Sequence, residues 1–210
     1  MHVLIILAHP KPGSFAHKIA MAYNEGAEMA GHKVDLLDLY ASHLQLGFVK
    51  PETKQEYAKN QPVRVELQEK IARAHEIVII HPLWWGGPPA ILKNFIDQIL
   101  TPGFAYNPPG DSMFMPKRLN VMPKRLLKGR KVRLFITSDG QIWTNLLRFM
   151  PYFTTWYFYV LKKTGLRLAS FHLFDFMKHR SHTSRNKWLA KINAIASSNP
   201  AIPVDSQNLQ

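Results

Sequence analysis

Three short segments combine polar, glycine and aromatic residues in patterns that plain connections rarely need. Residues 8–15 read Ala-His-Pro-Lys-Pro-Gly-Ser-Phe, residues 82–89 read Pro-Leu-Trp-Trp-Gly-Gly-Pro-Pro, and residues 137–141 read Thr-Ser-Asp-Gly-Gln. Each segment follows an apolar, β-branched run typical of a buried strand. The three segments are therefore the first candidates for chemistry.

The first segment leads into a predicted helix with Ser14 as its N-cap. The free N–H groups of a helix N-terminus favour an anion such as a phosphate, by roughly 0.3 to 1 kcal/mol when exposed. No Gly-Lys-Ser/Thr and no Gly-x-Gly-x-x-Gly is present, which excludes P-loop kinases and ordinary dehydrogenases. Two alternatives stay open: Ser14 as a simple cap and His9 as a solvated turn residue.

The second segment places Trp84 and Trp85 between a predicted buried strand and two glycines. Glycine lets the backbone approach a flat ligand, and an indole can pack against that ligand. This combination suits an isoalloxazine ring. The alternative is that both tryptophans belong to the hydrophobic core.

The third segment offers hydroxyl, carboxylate and backbone groups at a strand end, suited to hydrogen bonds with the polar edge of a ring. In an open α/β sheet, ligands bind beyond the carboxyl ends of the strands, where the strand order reverses. If the three segments follow the first, third and fourth strands, they must meet there.

The elements that would position these segments alternate along the chain. Strands are predicted at residues 2–8, 33–39, 76–81, 131–137 and 169–175, and helices at residues 15–30, 63–74, 89–100, 143–163 and 184–196. Strict alternation indicates an α/β fold with a doubly wound parallel five-stranded sheet of flavodoxin-like order 2-1-3-4-5. We expect one domain, residues 1–198, a frayed tail at 199–210, and a long loop at 101–129 that is a candidate for function.

Composition narrows the class of protein. The chain has 210 residues, 46% hydrophobic and 20% charged, with no cysteine. This excludes a disordered chain, a disulfide scaffold and a thiol nucleophile. No apolar stretch reaches the roughly 20 residues of a membrane-spanning helix. The N-terminal apolar run lacks a basic leader and is interpreted as a strand, so we expect a cytoplasmic protein.

The net charge of +13 lies entirely in the second half. Residues 1–105 hold ten Lys/Arg and ten Asp/Glu, whereas residues 106–210 hold seventeen and four. Eight cations lie between residues 117 and 133, including Lys117 and Arg118. Nucleic acid is not expected, because no binding motif or interleaved aromatic platform accompanies them. NADPH, an anionic membrane surface, and a solvated loop that aids solubility all remain open.

The segment at 82–97, Pro-Leu-Trp-Trp-Gly-Gly-Pro-Pro-Ala-Ile-Leu-Lys-Asn-Phe-Ile-Asp, resembles a motif of the flavodoxin-like NAD(P)H:quinone oxidoreductases, the family of DT-diaphorase and the modulator-of-drug-activity proteins. Leu-Ala-His-Pro with Ser-Phe at 7–15 is similar to the phosphate loop of that family, and Gly-Phe-Ala-Tyr at 103–106 to its substrate-pocket segment. The resemblance covers residues 2–197.

The resemblance implies a non-covalent flavin, FMN with FAD as the alternative, and NAD(P)H as electron donor. It also implies a homodimer with the substrate pocket at the subunit boundary, and Tyr106 and Trp143 beside the substrate. The residues that would hold the flavin are His9, Ser14, Phe15, Pro82, Leu83, Trp84, Trp85, Gly86, Thr137, Ser138, Asp139 and Gly140. The chain departs from the family at Ala16, where asparagine is usual, and at 137–140, where the mammalian enzymes have a double glycine.

The implied reaction is hydride transfer from NAD(P)H to the flavin, followed by two-electron reduction of a quinone-like acceptor. A flavin-binding ancillary subunit of a transport system and a flavin-free binding module are the alternatives. The aromatic run 149–159 is expected to lie in the core or in a dimer interface. The alternative is that it forms a patch facing the substrate or a membrane. His179 and His182 lack a third ligand and are interpreted as solvated rather than metal-binding.

Overall fold

The computed structural model describes residues 1–43, 46–108, 123–140 and 150–198. The strands of these residues are β1 (His2–Leu7), β2 (Lys33–Asp38), β3 (Glu76–Pro82), β4 (Tyr106–Asn107), β5 (Lys124–Arg125), β6 (Lys131–Thr137) and β7 (Arg167–Phe174). Five of them form a parallel sheet of order β2-β1-β3-β6-β7, and β4 and β5 form a separate antiparallel pair. Since β6 and β7 are the fourth and fifth strands of the sheet, the expected order 2-1-3-4-5 is confirmed.

Helices cover both faces of the sheet. They are α1 (Phe15–Met29), α2 (Lys54–Arg73), α3 (Ala90–Ile99), α4 (150–164 among the described residues) and α5 (His182–Ser197), with a 3₁₀ turn at Met177–His179. Side chains of α1 and α5 pack in the core on one face, and side chains of α2, α3 and α4 pack in the core on the other. None of the described helices combines the length and the apolar character needed to cross a bilayer.

The central strands are buried on both faces, which explains their continuous apolar sequences. Along β1, Val3 and Ile5 join the core under α1 and α5, whereas Leu4 and Ile6 join the core under α2, α3 and α4. Successive strand residues point to opposite faces, so a doubly covered strand must be apolar at every position. The loop between β1 and α1 therefore begins from a strand that is held rigidly in the core.

The helix after β1 begins and ends as the sequence predicts. Ser14 is its N-cap and accepts a hydrogen bond from the N–H of His17. Gly31 follows the last turn with a φ of 73°, which glycine adopts without steric cost. Gly26 faces α5, and a Cβ at this position would lie 2.4 Å from the carbonyl oxygen of Asn193. The close approach of α1 and α5 therefore depends on this glycine.

The expectation of a helix starting at residue 63 is wrong, since α2 starts at Lys54 and contains Pro62. Thr53 and Glu56 form a capping box that satisfies the first-turn N–H groups. Proline removes one helical hydrogen bond, which leaves the carbonyl of Ala58 without its donor. Both Pro62 and Ala58 are exposed, so water can bond to that carbonyl and the helix continues.

Other boundaries shift by smaller amounts. The strand β7 and the helix α5 each begin two residues earlier than predicted, and Ser181 rather than a later residue caps α5. The predicted loop 101–129 is not wholly irregular, because it contributes β4 and β5. Residues 109–122 of that loop, residues 143–149 of the predicted fourth helix, and the predicted tail at 199–210 lie outside the described residues.

The helix α4 contains a π-helical segment, Trp156–Lys162, and separates two kinds of aromatic residue. Tyr152 and Trp156 are buried against the sheet. Phe158 and Tyr159, in contrast, are 58% and 73% exposed. One part of the aromatic run therefore belongs to the core, and another part forms an exposed surface.

Neutral amide side chains of α3 hold the segment that follows β2. Asn94 donates to the carbonyls of Leu46 and Gly47 and accepts from the N–H of Val49, at 3.1 to 3.2 Å. Gln98 donates to the carbonyl of Gly47 at 2.6 Å. Both amides are buried, so residues 46–49 are fastened to α3 by an amide clamp made of Asn94 and Gln98.

Candidate functional site

The three segments chosen from the sequence meet at the carboxyl edge of the sheet and enclose a cleft of about 300 Å³. The N–H of Leu83 donates to the carbonyl of Thr137 at 2.8 Å, and the N–H of Ser138 donates to the carbonyl of Phe174 at 2.8 Å. These bonds continue the ladders of β3, β6 and β7 into the loops. The cleft is lined by His9, Phe15, Ala16, Pro82, Leu83, Trp84, Thr137, Ser138, Asp139, Gly140 and Met177.

The β1–α1 segment forms one wall of this cleft. Nδ1 of His9 accepts the N–H of Lys11 at 3.1 Å, and the His9 ring lies 6.4 Å from the Trp84 ring. Burial, followed by the charge of the nearby His17, lowers the pKa of His9. Phe15 and Ala16 occupy the first turn of α1, where backbone N–H groups have no helical acceptor. This wall thus presents a neutral imidazole and a helix N-terminus.

The segment after β3 folds back on itself in a two-residue turn. Trp84 and Gly87 exchange both backbone hydrogen bonds at 2.9 Å, and the two residues between them have φ of 50° (Trp85) and 74° (Gly86). Trp84 lines the cleft, whereas the Trp85 side chain is 106% exposed and points to solvent. Gly86 is likewise outside the lining of the cleft. A cofactor contact by Trp85 or Gly86 stays a prediction.

The segment after β6 supplies the polar part of the cleft. Thr137 is buried, and the Ser138 hydroxyl accepts the N–H of Gly140 at 3.1 Å. The Asp139 carboxylate lies 3.1 Å from the ammonium of Lys178. Hydroxyl, carboxylate and backbone groups therefore face the apolar wall made by Leu83 and Trp84.

A second, more basic cleft of about 380 Å³ adjoins the first and shares His9, Phe15, Asp139 and Met177 with it. Ser14 lies here, among cationic side chains. Its other lining residues are Lys11, Gly13, Lys18, Lys178, His182, Arg185, Asn186 and Leu189. Nε of Arg185 is buried without a hydrogen-bond partner among the described residues, although the same side chain donates to the carbonyl of Met177.

Most of the lining residues that the sequence analysis missed come from the segment after β7 and from α5. Met177 lines both clefts, and Arg185 lines the basic one. Phe176 precedes them with a φ of 52°, a conformation that side chains rarely adopt. This turn redirects the chain towards the cleft. A one-dimensional pattern contains no signal for such a turn, because phenylalanine is not a typical residue for it.

The two expected substrate residues do not line either cleft. Tyr106, in β4, has the ammonium of Lys163 at 4.0 Å above its ring and packs against the core under α4. Trp143 lies outside the described residues. The substrate role of both residues stays a prediction. His179 and His182, expected to be solvated, are both exposed.

A buried histidine supports the cleft from behind. His81 precedes the cleft residue Pro82 and is completely inaccessible to solvent. Its Nδ1 lies 2.8 Å from the carbonyl oxygen of Pro82, and its Nε2 lies 2.6 Å from the hydroxyl of Tyr152. The carbonyl can only accept, so Nδ1 carries the hydrogen and Nε2 accepts from Tyr152. Burial lowers the pKa of His81 to about 4, so the ring is neutral.

Comparison with known proteins agrees with this architecture. The model of the Flavodoxin_2 family, described as a flavodoxin-like fold, matches residues 1–195. The chain belongs to this family. Its relatives include proteins named NAD(P)H oxidoreductase and quinone dehydrogenase, which supports the flavodoxin-like NAD(P)H:quinone oxidoreductase family that the sequence resembles.

Two curated relatives and one solved structure illustrate the relationship. An uncharacterized NAD(P)H oxidoreductase of Haemophilus influenzae is 33% identical over 146 residues, which are 68% of this chain and 66% of that protein. The ribosyldihydronicotinamide dehydrogenase [quinone] of Mus musculus is 29% identical over 158 residues, which are 66% of this chain and 67% of that enzyme. The crystal structure of Smu.1420 from Streptococcus mutans superposes with a TM-score of 0.71 at 26% identity, covering 94% of this chain and 99% of that one. The chain thus matches about two thirds of the length of these curated relatives.

Proposed function

We propose that the chain is a flavin-dependent NAD(P)H oxidoreductase that reduces a quinone-like acceptor. The observation that carries this proposal is the first of the two clefts, at the carboxyl edge of the sheet, where an apolar aromatic wall, a polar strand end and a helix N-terminus meet. The names of the Haemophilus and mouse relatives support the same reaction class.

The residues of the cleft fit a flavin. A volume of about 300 Å³ is at the lower end of the range for small-molecule pockets, and the cleft continues into the basic one. Leu83 and Trp84 offer the apolar surface against which a flat ring packs. Ser14, Lys11 and Lys18 lie where the phosphate of a flavin would extend, next to the first turn of α1.

When bound, the flavin would supply the redox chemistry, accepting a hydride at N5 from NAD(P)H and delivering two electrons to the acceptor. The protein would bind the flavin and orient its ring. Thr137, Ser138 and the backbone up to Gly140 can hydrogen-bond the polar edge of the ring, which carries negative charge after reduction. The Trp84 wall excludes water from one side of the cleft.

The adjoining basic cleft bears on the choice between FMN and FAD. FMN requires one phosphate site, which the first turn of α1 provides. FAD requires a second phosphate and room for adenosine. Lys178 and Arg185 line the basic cleft, and Nε of Arg185 is buried there without a hydrogen-bond partner among the described residues. These cations can bind the second phosphate of FAD, which makes FAD the second candidate.

We also propose that the protein forms a homodimer through the exposed aromatic surface of α4, defined by Met150, Phe158 and Tyr159. These side chains are 48%, 58% and 73% exposed. Aromatic side chains and methionine are enriched in protein interfaces. A dimer through α4 would shield this surface from water.

The test is spectroscopic. The purified protein, or protein incubated with FMN or FAD, should show the visible absorption bands of oxidised flavin, and NADH or NADPH should bleach them without oxygen. A quinone should then restore the bands. The variant Trp84→Ala should bind flavin at least tenfold more weakly, because it removes the apolar wall. Phe48→Ala, which removes a 73% exposed aromatic side chain outside both clefts, is the control.

Each negative result has a distinct meaning. Protein that stays colourless with both flavins would exclude the proposal and leave a flavin-free binding module. Protein that binds flavin but never turns over NADH or NADPH with any quinone would favour an ancillary subunit.

A further inference from the structure

Ser14, His17 and Asp38 lie in series beside the basic cleft, in an arrangement that the flavin site itself does not require. Oγ of Ser14 is hydrogen-bonded to Nδ1 of His17 at 2.9 Å, and Nε2 of His17 lies at an ion-pair distance of 3.3 Å from Oδ2 of Asp38. Asp38 ends β2, and its other carboxylate oxygen accepts the N–H groups of Tyr40 at 2.9 Å and Ala41 at 3.3 Å. The carboxylate is therefore fixed by one oxygen and faces the His17 ring with the other.

The positions of the hydrogens follow from what each group can donate. The Asp38 carboxylate can only accept and faces Nε2 of His17, which favours the tautomer with its hydrogen on Nε2. In a neutral ring Nδ1 is then an acceptor, and the Ser14 hydroxyl must donate to it. In this state the one hydrogen of the Ser14 hydroxyl is used inside the protein and cannot reach an anion.

Protonation of His17 reverses the direction of this bond. Nδ1 then carries a hydrogen and donates to Oγ of Ser14, which also accepts the N–H of His17 at 3.4 Å. Both lone pairs of the hydroxyl are occupied, and its hydrogen is free. Ser14 lines the basic cleft with Lys11 and Lys18, so the free hydroxyl can donate to an anion there.

We propose that His17 is a positioning residue for the flavin phosphate: its protonation releases the Ser14 hydroxyl to donate to that phosphate, so that phosphate binding and proton uptake are coupled. This inference rests on the proposed flavin function. The coupling is reciprocal, because a ligand that favours protonated His17 must itself bind more tightly when His17 is protonated.

The surroundings of His17 determine how the coupling responds to pH. The titratable and charged groups near it are His9 and Lys11 in the β1–α1 segment, Lys18 and Glu25 on α1, and Asp38 at the end of β2. His17, Lys18 and Glu25 line a groove between α1 and α5, and the residues that α5 contributes to this groove are Leu189, Ala190 and Asn193, which do not titrate. The His9 ring is 6.1 Å away, and the charge of His17 helps to lower the pKa of His9.

The experiment compares FMN with riboflavin, which has the same ring but no phosphate. Dissociation constants of both are measured from flavin fluorescence between about pH 6 and about pH 8, where an imidazole changes charge. The ratio of the two constants reports the contribution of the phosphate. Wild type is compared with His17→Asn, which keeps a polar side chain but cannot titrate. The phosphate of FMN itself ionises near pH 6, and this contribution is the same in both proteins.

From about pH 6 to about pH 8, the ratio of the riboflavin dissociation constant to the FMN dissociation constant should fall about tenfold more in wild type than in His17→Asn. This is the effect expected for the loss of one charge-assisted hydrogen bond. In the Ser14→Ala background, the exchange of His17 should have no effect: Ser14→Ala and Ser14→Ala/His17→Asn should have the same pH profile. Circular dichroism of each variant checks that α1 is still folded.

Parallel pH profiles in wild type and His17→Asn would overturn the inference. Different pH profiles in Ser14→Ala and in Ser14→Ala/His17→Asn would also overturn it, because the charge of His17 would then act without the hydroxyl. These results differ from a failure of the proposed function, in which neither FMN nor riboflavin binds any variant at any pH. In that case the inference falls with the proposal on which it rests.

Discussion

His81 is a polar residue in β3, a strand buried along its whole length. Its ring stacks on the indole of Trp156, with the ring centroids 6.0 Å apart. A buried polar ring is costly unless its hydrogen-bonding groups are paired, and here Pro82 and Tyr152 pair both nitrogens. The arrangement joins the first residue of the cleft wall to α4.

The neutral state of His81 makes the stability of the protein depend on pH. Its pKa falls from 6.5 to about 4 on folding, so the unfolded chain binds the proton more readily. The stabilisation is complete above about pH 6.5 and is lost progressively as the pH falls towards 4. We expect wild type to lose about 2 kcal/mol of unfolding free energy at pH 5 from this residue alone.

Urea denaturation at pH 7 and pH 5 measures this effect. The double variant His81→Leu/Tyr152→Phe is the control, because it removes both partners and leaves no buried polar group unpaired. All other groups titrate alike in the two proteins. An equal loss of stability in wild type and in the double variant would contradict the assignment.

Trp85 adopts a left-handed conformation without burying any of its side chain. With Gly86 it forms the centre of a two-residue turn in which both φ values are positive, and such turns favour Asn-Gly. We therefore expect Trp85→Asn to raise the unfolding free energy by about 0.5 to 1 kcal/mol. Thermal denaturation checks this expectation, with Trp84→Asn, which removes a side chain of the cleft wall, as a destabilised comparison.

The same variant tests the role assigned to Trp85 by the sequence. If Trp85 contacts flavin or substrate, Trp85→Asn will be more stable but will bind flavin or quinone more weakly. Unchanged binding of both would limit the aromatic wall to Trp84. A decrease in stability would show that the turn differs from the one described.

At the scale of the elements, the contact between α1 and α5 depends on a missing side chain. A Cβ on Gly26 would meet the carbonyl of Asn193 at 2.4 Å, and backbone cannot move away cheaply in a packed pair of helices. Gly26→Ala should destabilise the protein by about 1 to 3 kcal/mol, even though alanine favours helix by about 1 kcal/mol. Glu28→Ala, on the exposed side of α1, should change stability by less than about 0.5 kcal/mol. Chemical denaturation of both variants decides the point, and a stabilised Gly26→Ala would contradict the packing.

Elements with a strong local signal were predictable from the sequence. The continuous apolar runs of β1 and β3 predict buried strands, and Ser14 and Gly31 predict the limits of α1. The start of α2 has a sequence signal in the capping box of Thr53 and Glu56, but Pro62 obscures it, and the helix tolerates Pro62 because the carbonyl of Ala58, one turn earlier, is open to water. Tolerance of this kind depends on tertiary position.

The candidate site shows the same division. Its three strand-end segments are contiguous in sequence and follow recognisable strands, so their meeting could be expected from sheet topology. Met177 and Arg185 could not be expected, because they reach the clefts through the unusual turn at Phe176. The opposite orientations of Trp84 and Trp85 likewise depend on turn geometry rather than on residue type.

At the scale of the whole molecule, the exposed aromatic surface of α4 is the candidate interface between two copies of the chain. Phe158→Glu with Tyr159→Glu should shift the protein from dimer to monomer, because charged residues are disfavoured in the centre of an interface. Light scattering after size exclusion measures the mass. Met29→Glu alters a residue that is 74% exposed on α1 and should leave the dimer intact. A monomeric wild type at micromolar concentration would contradict the assignment.

The amide clamp of Asn94 and Gln98 carries no charge, and this affects how the protein responds to its solvent. Ion pairs on a surface weaken as salt is added, and carboxylates lose their partners in acid. Hydrogen bonds between neutral amides and backbone groups respond less to salt and to acid, although Gln98 also accepts a hydrogen bond from the guanidinium of Arg64. The segment at residues 46–49 should therefore stay attached to α3 over a wide range of salt concentration.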